Sequence, residues 1–344
     1  MPRLQLPEGS FHCPSYSLHF LCHLERQPQT PEQPGLPNDR ILGMACASVF
    51  VPSAHLGWAP TPTASVSATD GCRVYLSRFL HGHRSMTQHN TALITGASSG
   101  IGRELAIQFA MGGDDVVLVA RSEDKLRELA TEIESQSGRH ATVIPCDLSR
   151  PEAVDQLCHE LTQRSIPIDT LVNNAGFGAL GKFSELSADR QTDMVMVNVV
   201  ALTRLTRQLL PNMLQKNRGG ILNVGSIAAY QAGPNMAVYY ATKAYVLSFT
   251  EGLREELSGT SLHVTCLEPG PTESGFGADS GMGNLDMFSS TTMTADAVAR
   301  AGYEGYMKNE DVVIPGWKNR LMVTSAGFLP RFATRKLVGK MQSA

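Results

Sequence analysis

Tyr239 and Lys243 stand four residues apart in the helical pattern Ala237–Ser258, a spacing that puts both side chains on one face. Ser226 follows the apolar strand pattern Ile221–Val224, and Asn198 lies in a long helical pattern over 189–216. No other tyrosine fits, because Tyr230, Tyr240 and Tyr245 are followed four places later by Pro234, Ala244 and Phe249. A Tyr/Lys pair at this interval means little alone. Beside a serine and an asparagine it can move a proton. Reduction of a carbonyl needs a proton at oxygen while hydride reaches carbon. A phenol, with a reference pKa of about 10, gives up its proton too reluctantly for reversible transfer near neutrality. A neighbouring ammonium favours the phenolate and lowers that value. Lys243 can do this and still donate to a nicotinamide ribose. Ser226 can donate to the substrate oxygen and orient it. Asn198 can hold a water beneath Lys243 that links the site to solvent.

These side chains need a frame. From residue 91, short apolar runs alternate with amphipathic ones. Strands are expected at 91–95, 115–120, 141–145, 169–172, 220–225, 261–267 and 311–314, each rich in Val, Ile or Leu as strands buried on both faces should be. Helices are expected between them, at 123–136, 151–164, 189–216 and 237–258 among others. The alternation predicts an α/β fold: a single Rossmann-type, doubly wound parallel sheet of about seven strands with helices on both faces. Ligands of such sheets bind outside the carboxyl ends of the strands.

The most telling turn is Thr95-Gly96-Ala97-Ser98-Ser99-Gly100-Ile101-Gly102, between the run Ala92-Leu93-Ile94 and a helical run from Arg103. Gly96, Gly100 and Gly102 let backbone N–H groups approach a pyrophosphate, which the helix N-terminus also favours. Ser98 and Ser99 add hydroxyls, and Ile101 packs the helix. The Gly-x-x-x-Gly-x-Gly spacing is one step from the usual fingerprint, and a ligand-free turn would use the same glycines. The second strand ends in Ala120-Arg121, where an acidic residue would favour NAD(H). The Arg121 guanidinium can clasp a 2′-phosphate, so NADP(H) is expected in preference to NAD(H); a solvated arginine is the bland reading. Asp147 and Leu148, after the third strand, can meet the adenine, or Asp147 can cap the helix that begins near Pro151.

Taken together, these residues resemble the short-chain dehydrogenase/reductase family. Its nucleotide turn is similar to Thr95–Gly102, its Asn-Asn-Ala-Gly strand end to Asn173-Asn174-Ala175-Gly176, and its Ser–Tyr–Lys–Asn set to Ser226, Tyr239, Lys243 and Asn198. Its Pro-Gly after the sixth strand is similar to Pro269-Gly270, with Thr272 placed to meet the nicotinamide amide. The resemblance covers about residues 90–315. It implies hydride transfer with NAD(P)(H) to or from a carbonyl or secondary alcohol, with Tyr239 as general acid/base. It adds Asn174, Ala175, Gly176, Tyr239, Lys243, Pro269, Gly270 and Thr272 to the cofactor set, and it implies a homodimer or homotetramer. Gly225 departs from it, standing where many members have a second serine. The segment from Ile314 onward resembles the tail of a bacterial subgroup described as ketoacyl- or hydroxysteroid-dehydrogenase-like. Two rivals remain: a non-catalytic NADP(H)-binding regulator on the same fold, and another reaction such as epimerisation.

Composition bounds the rest. The 344 residues carry a formal charge of −3, with no basic run interleaved with aromatics, so no nucleic-acid partner is expected. No apolar run reaches the roughly 18 residues of a membrane span. The seven cysteines form no CxxC pair, which argues for free thiols, no metal site and a cytoplasmic location. Residues 1–85 hold no lysine and about half of the 19 prolines. They show no sustained period and are expected to be disordered, or to precede a true start at Met86; a displaced signal core at Ile41–Val51 and a His/Cys metal site are weaker readings. The substrate loop is expected at 272–292, where Gly275, Gly277, Gly281 and Gly283 give mobility, and Phe276, Met282, Met287 and Phe288 suit an apolar ligand or core packing. Residues 317–341 mix apolar side chains with cations and are broken by Pro330. They can pack as a helix pair with a solvated basic face, cover the cleft, or lie on a membrane surface.

Overall fold

The computed structural model describes residues 89–274, Phe276, Ser280 and residues 292–342. The expectations for residues 1–85, the Met86 start, and most of the substrate loop lie outside the described residues.

Nine helices and nine strands follow in order within the described residues. β1 (Thr91–Thr95), α1 (Gly100–Met111), β2 (Asp115–Ala120), α2 (Glu123–Ser137), β3 (Ala141–Pro145), α3 (Ala153–Gln163) and β4 (Thr170–Asn173) form the first half. Next come α4 (Ala188–Val195), a π-helical turn Met196–Ala201, α5 (Leu202–Lys216), β5 (Gly220–Val224), a 3-10 turn Ile227–Tyr230, α6 (Ala237–Glu256) and β6 (His263–Leu267). β7 (Thr272–Glu273), β8 (Met293–Thr294), α7 (Ala295–Met307), β9 (Val312–Val313), α8 (Trp317–Phe328) and α9 (Arg331–Gln342) complete the chain.

Seven strands make one parallel sheet in the order β3-β2-β1-β4-β5-β6-β9. The order reverses between β1 and β4, and the crevice above that point is where such sheets take ligands. All five residues of β1 and of β5 are buried, as central strands covered on both faces must be. Edge strand β3 instead exposes Pro145, whose missing N–H an edge tolerates. One apolar layer joins Phe109 of α1 and Leu126 of α2 to Leu118 and Val298. The other joins Leu157 of α3, Leu205 of α5 and Leu253 of α6 to Leu93 and Val117. Phe109 also meets Tyr303 of α7 edge-on, at 5.0 Å between centroids.

The seven expected strands appear within two residues of their predicted bounds. The long helix expected over 189–216 runs from Ala188 to Lys216, with the π turn Met196–Ala201, which contains Asn198, in its middle. A π turn inserts an extra residue into the helix and is frequent at functional sites. β7 and β8 pair in parallel and bring together the two ends of the expected substrate loop.

Candidate active site

Gly96 and Gly100 have φ of +67° and +55°, which an L side chain adopts only under strain. A Cβ on Gly102 would lie 2.2 Å from Asn174 Nδ2 and 2.4 Å from the Gly96 carbonyl oxygen. Gly102 therefore serves close packing of α1 and is not on the cleft wall, whereas Gly96, Ser98, Ser99, Gly100 and Ile101 are. β4 braces the turn from the other side. Asn174 Nδ2 donates to the carbonyls of Thr95 (2.9 Å) and Gly96 (3.2 Å), and the Asn174 and Ala175 N–H groups both donate to Thr95 Oγ1 at 3.0 Å. The Asn174 amide thus fixes the turn. Ser99 is the N-cap of α1, yet its side chain makes no capping bond. A rigid glycine cradle and a helix N-terminus with that hydroxyl beside it fit a pyrophosphate.

At the far end, the wall of the cleft carries Arg121, Ser122 and Lys125 from the β2–α2 junction, then Asp147, Leu148 and Ser149 after β3. Arg121 is exposed, and Lys125 adds a second cation one helical turn on. This donor set fits a phosphorylated ribose. Asp147 Oδ1 accepts from the N–H and Oγ of Ser149, at 3.2 and 2.9 Å. It closes its own turn and does not cap α3, whose N-cap is Glu152. Leu148 is buried in the sheet layer.

The proton-transfer residues converge at the other end. Tyr239 and Lys243 are both buried on α6. Lys243 Nζ donates to the Val224 carbonyl at 2.8 Å and lies 5.9 Å from the Tyr239 ring centroid. Ser226 leaves β5 in extended conformation and hydrogen-bonds the Tyr239 hydroxyl. Its Oγ also accepts the Ala228 N–H at 3.1 Å. The Asn198 amide is bonded on both sides within the protein. Nδ2 donates to the Phe177 carbonyl (3.1 Å) and to Thr242 Oγ1 (3.0 Å), while Oδ1 accepts the Phe177 N–H at 3.1 Å. It locks the loop after Gly176 onto α6. Gly176 leaves just enough room, since a Cβ there would stand 3.1 Å from Asn198 Oδ1 and 3.5 Å from Lys243 Nζ. Thr272 lines the same cleft, its hydroxyl donating to the Gly270 carbonyl at 2.9 Å.

Glu268 was not foreseen. It sits between Leu267 and Pro269 and is 0 % exposed. Oε2 accepts the Ser226 N–H at 2.8 Å, and Oε1 accepts from Cys266 Sγ at 2.9 Å. Gly225 now has a reason: a Cβ there would lie 2.0 Å from Glu268 Oε1. Burial lifts Glu268 to about 7, against the bonds from Cys266 and Ser226 and the pull of Lys243. Burial also lowers Lys243 to about 8, opposed by Glu268. Tyr239 is pushed upward, by burial first, with the Ser226 bond acting the other way. Among the protein's own groups the one that favours the phenolate is Ser226, and the phenol's loss of water outweighs it.

The cleft has a volume of about 1140 Å³. That exceeds the range of roughly 300–1,000 Å³ for small-ligand pockets and suits a dinucleotide with a substrate beside it. Its roof holds Met322, Ser325, Ala326 and Leu329 of the α8 region and Thr334, Leu337 and Val338 of α9. The tail covers the cleft, and Pro330 separates its two helices as expected. Phe276 stacks at a tilt on Tyr239, 5.3 Å between centroids. Pro269 and Gly270 line the floor, and Gly270 is overlaid by the buried Asn319 of α8, to which a Cβ would come within 2.5 Å.

The short chain dehydrogenase family profile matches residues 90–283. The chain belongs to that family. A short chain dehydrogenase of Pseudocercospora fijiensis is 36% identical over 193 residues, which is 56% of this chain and 62% of that relative's length. A short-chain dehydrogenase from Sphingobium yanoikuyae in complex with NADPH superposes with a TM-score of 0.62 at 33% identity, covering 69% of this chain and 93% of its own. The bulky-bulky ketone specific alcohol dehydrogenase from Comamonas testosteroni gives 0.60 at 31%, covering 70% and 93%. This short-chain dehydrogenase has the doubly wound parallel sheet of such oxidoreductases, with a nicotinamide-cofactor cleft at its switch point. Among the described residues no helix is long and apolar enough to cross a membrane, no cluster of three or more His, Cys, Asp or Glu could hold a metal, and Cys146, Cys158 and Cys266 are free thiols.

Proposed function

We propose that this chain transfers a hydride between NADP(H) and the carbonyl or secondary alcohol of a bulky apolar substrate, with Tyr239 as general acid/base. The observation that carries this reading is the meeting of Ser226, Tyr239 and Lys243 in the same cleft as the glycine cradle. Gly96, Ser98, Ser99, Gly100 and Ile101 would hold the pyrophosphate, with Arg121 and Lys125 at the ribose phosphate and Pro269, Gly270 and Thr272 at the nicotinamide. When bound there, NADPH would supply the hydride. Tyr239 delivers the proton to the carbonyl oxygen, and Ser226 Oγ donates its one hydrogen bond to that oxygen as charge develops on it. The Lys243 ammonium offsets the phenolate charge. Asn198 and Glu268 act as positioning residues. The first holds Phe177 against α6, and the second holds the Ser226 backbone.

The apolar roof and Phe276 support a bulky ketone, as does the likeness to an alcohol dehydrogenase described as specific for such ketones. The family's habit of forming dimers or tetramers is carried over as part of the same proposal. Tyr239→Phe tests it. The variant should bind NADPH as the parent does, by fluorescence titration, while ketone reduction falls about 10²–10⁴-fold, the usual worth of a positioned acid. Unchanged turnover overturns the mechanism. A parent that binds NADPH and reduces no ketone, aldehyde or acyl thioester would make it a regulator instead.

A further inference from the structure

The roof of the cleft has an outer face that the hydride-transfer reading does not use. α8 buries Asn319 and half-buries Met322, Val323 and Ala326 on one side. On the opposite side Trp317, Leu321, Thr324 and Phe328 fall within about 60° of one another at 100° per residue. Trp317, Leu321 and Phe328 are 71, 61 and 86% exposed. A helix at the surface of a soluble domain normally turns its polar side outward. α8 turns an aromatic and aliphatic stripe outward instead, flanked by Lys318 and Arg320. On α9 the outward side carries Phe332, 58% exposed, with Arg335, Lys336 and Lys340 around it.

Charge is equally lopsided. From Val312 to the last residue there are six cations (Lys318, Arg320, Arg331, Arg335, Lys336 and Lys340) and no Asp or Glu. The other 311 residues carry 23 cations and 32 acids. An apolar stripe wider than isolated exposed residues marks an interaction surface, and an acid-free basic rim selects an anionic one. From these two features we infer that the outer face of α8 and α9 docks this short-chain dehydrogenase onto an anionic lipid bilayer, with Trp317, Leu321, Phe328 and Phe332 at the acyl boundary and the cations among the headgroups.

Two other occupants fit less well. A second copy docking by this same face would set the six cations against their own symmetry mates. The chain's own segment 1–88 holds six arginines and five acids, and so has no anionic excess to offer. The same helices roof the cleft, so docking places that roof against the bilayer. The docking does not depend on the reaction proposed above, and its test contains no turnover reading.

The test is co-sedimentation of the full chain with vesicles of phosphatidylcholine alone or mixed with phosphatidylglycerol. The chain should bind the mixed vesicles, bind the neutral ones far more weakly, and release as salt screens the headgroups. Arg331→Gln/Arg335→Gln/Lys336→Gln should weaken binding about a hundredfold, since each basic side chain near an anionic surface contributes several-fold. Trp317→Ser/Leu321→Ser/Phe328→Ser should weaken it at least about tenfold. These six positions are exposed, and an unchanged thermal transition in either variant shows that its fold is kept. Binding to neither vesicle, or equally to both, overturns the inference. So does an assembly, detected by sedimentation velocity without lipid, that the serine variant dissociates; that result assigns the face to a second copy.

Discussion

Gly225→Ala puts one methyl group where the structure has no room. Its Cβ would stand 2.0 Å from Glu268 Oε1, 2.7 Å from Cδ and 3.1 Å from Oε2. Ordinary contact needs about 3.4 Å or more, so the carboxylate must retreat by more than an ångström. It cannot do so freely. It is fully buried, and its other oxygen holds the Ser226 N–H at 2.8 Å. Overpacking of a dense interior costs about 1–3 kcal/mol. A hydrogen bond to a charged group, if broken, adds about 1.5–3 kcal/mol. The expected loss is about 3 kcal/mol, or roughly 6–12 °C in Tm for a domain of this size. Scanning calorimetry with and without Glu268→Ala separates the causes. Glu268→Ala alone leaves a small cavity and an unpaired N–H, at about 2–4 kcal/mol. In its background the Gly225→Ala methyl meets open space and should cost little, so the cycle should show coupling of at least about 1.5 kcal/mol. Losses that add within about 0.5 kcal/mol would refute the argument, because the two residues would then not share that space.

Arg121→Ala should reduce kcat/KM with NADPH about 10–100-fold and leave NADH almost untouched, as loss of a charge-assisted phosphate contact requires; equal losses with both cofactors would remove Arg121 from the phosphate. Glu268 is raised from 4.5 to about 7 in the folded chain, so the stability it contributes is complete below pH 4.5 and is lost as pH rises through about 7. A plot of Tm for the parent minus Tm for Glu268→Gln should therefore fall across that window and flatten above it; a flat line throughout would show an ordinary carboxylate. Lys243, lowered from 10.5 to about 8, acts in the opposite sense, with stability regained as pH rises from about 8 towards 10.5. Asp169 anchors the other end of the sheet, accepting from Lys216 at 2.8 Å, Arg218 at 3.0 Å and the Thr91 N–H at 3.1 Å. Asp169→Asn should cost on the order of 2 kcal/mol in urea unfolding, below the range for a fully buried pair because both cations are partly solvated.

The strand–helix alternation was legible because buried parallel strands and amphipathic helices impose different periods on the chain, and each period needs only near neighbours. The glycine turn and the Tyr239–Lys243 interval were legible for the same reason, each being a local spacing with a local geometric cause, whereas Pro269-Gly270 was placed only by resemblance to the family. The sequence therefore determined the fold class, the glycine turn after β1, and a serine, a tyrosine and a lysine that the fold brings to one cleft. What it left out were pairings across the sheet. Gly225 and Glu268 are 43 positions apart, and nothing in either neighbourhood says that one makes room for the other. The π turn at Asn198 depends on the helix answering to Phe177 and Thr242, not on its own composition. The basic tail reads alike whether its apolar side chains face in or out. Only tertiary structure, by fixing which surfaces of distant elements meet and which remain open to water, decided that Met322 and Val338 roof the cleft while Trp317 and Phe328 face outward.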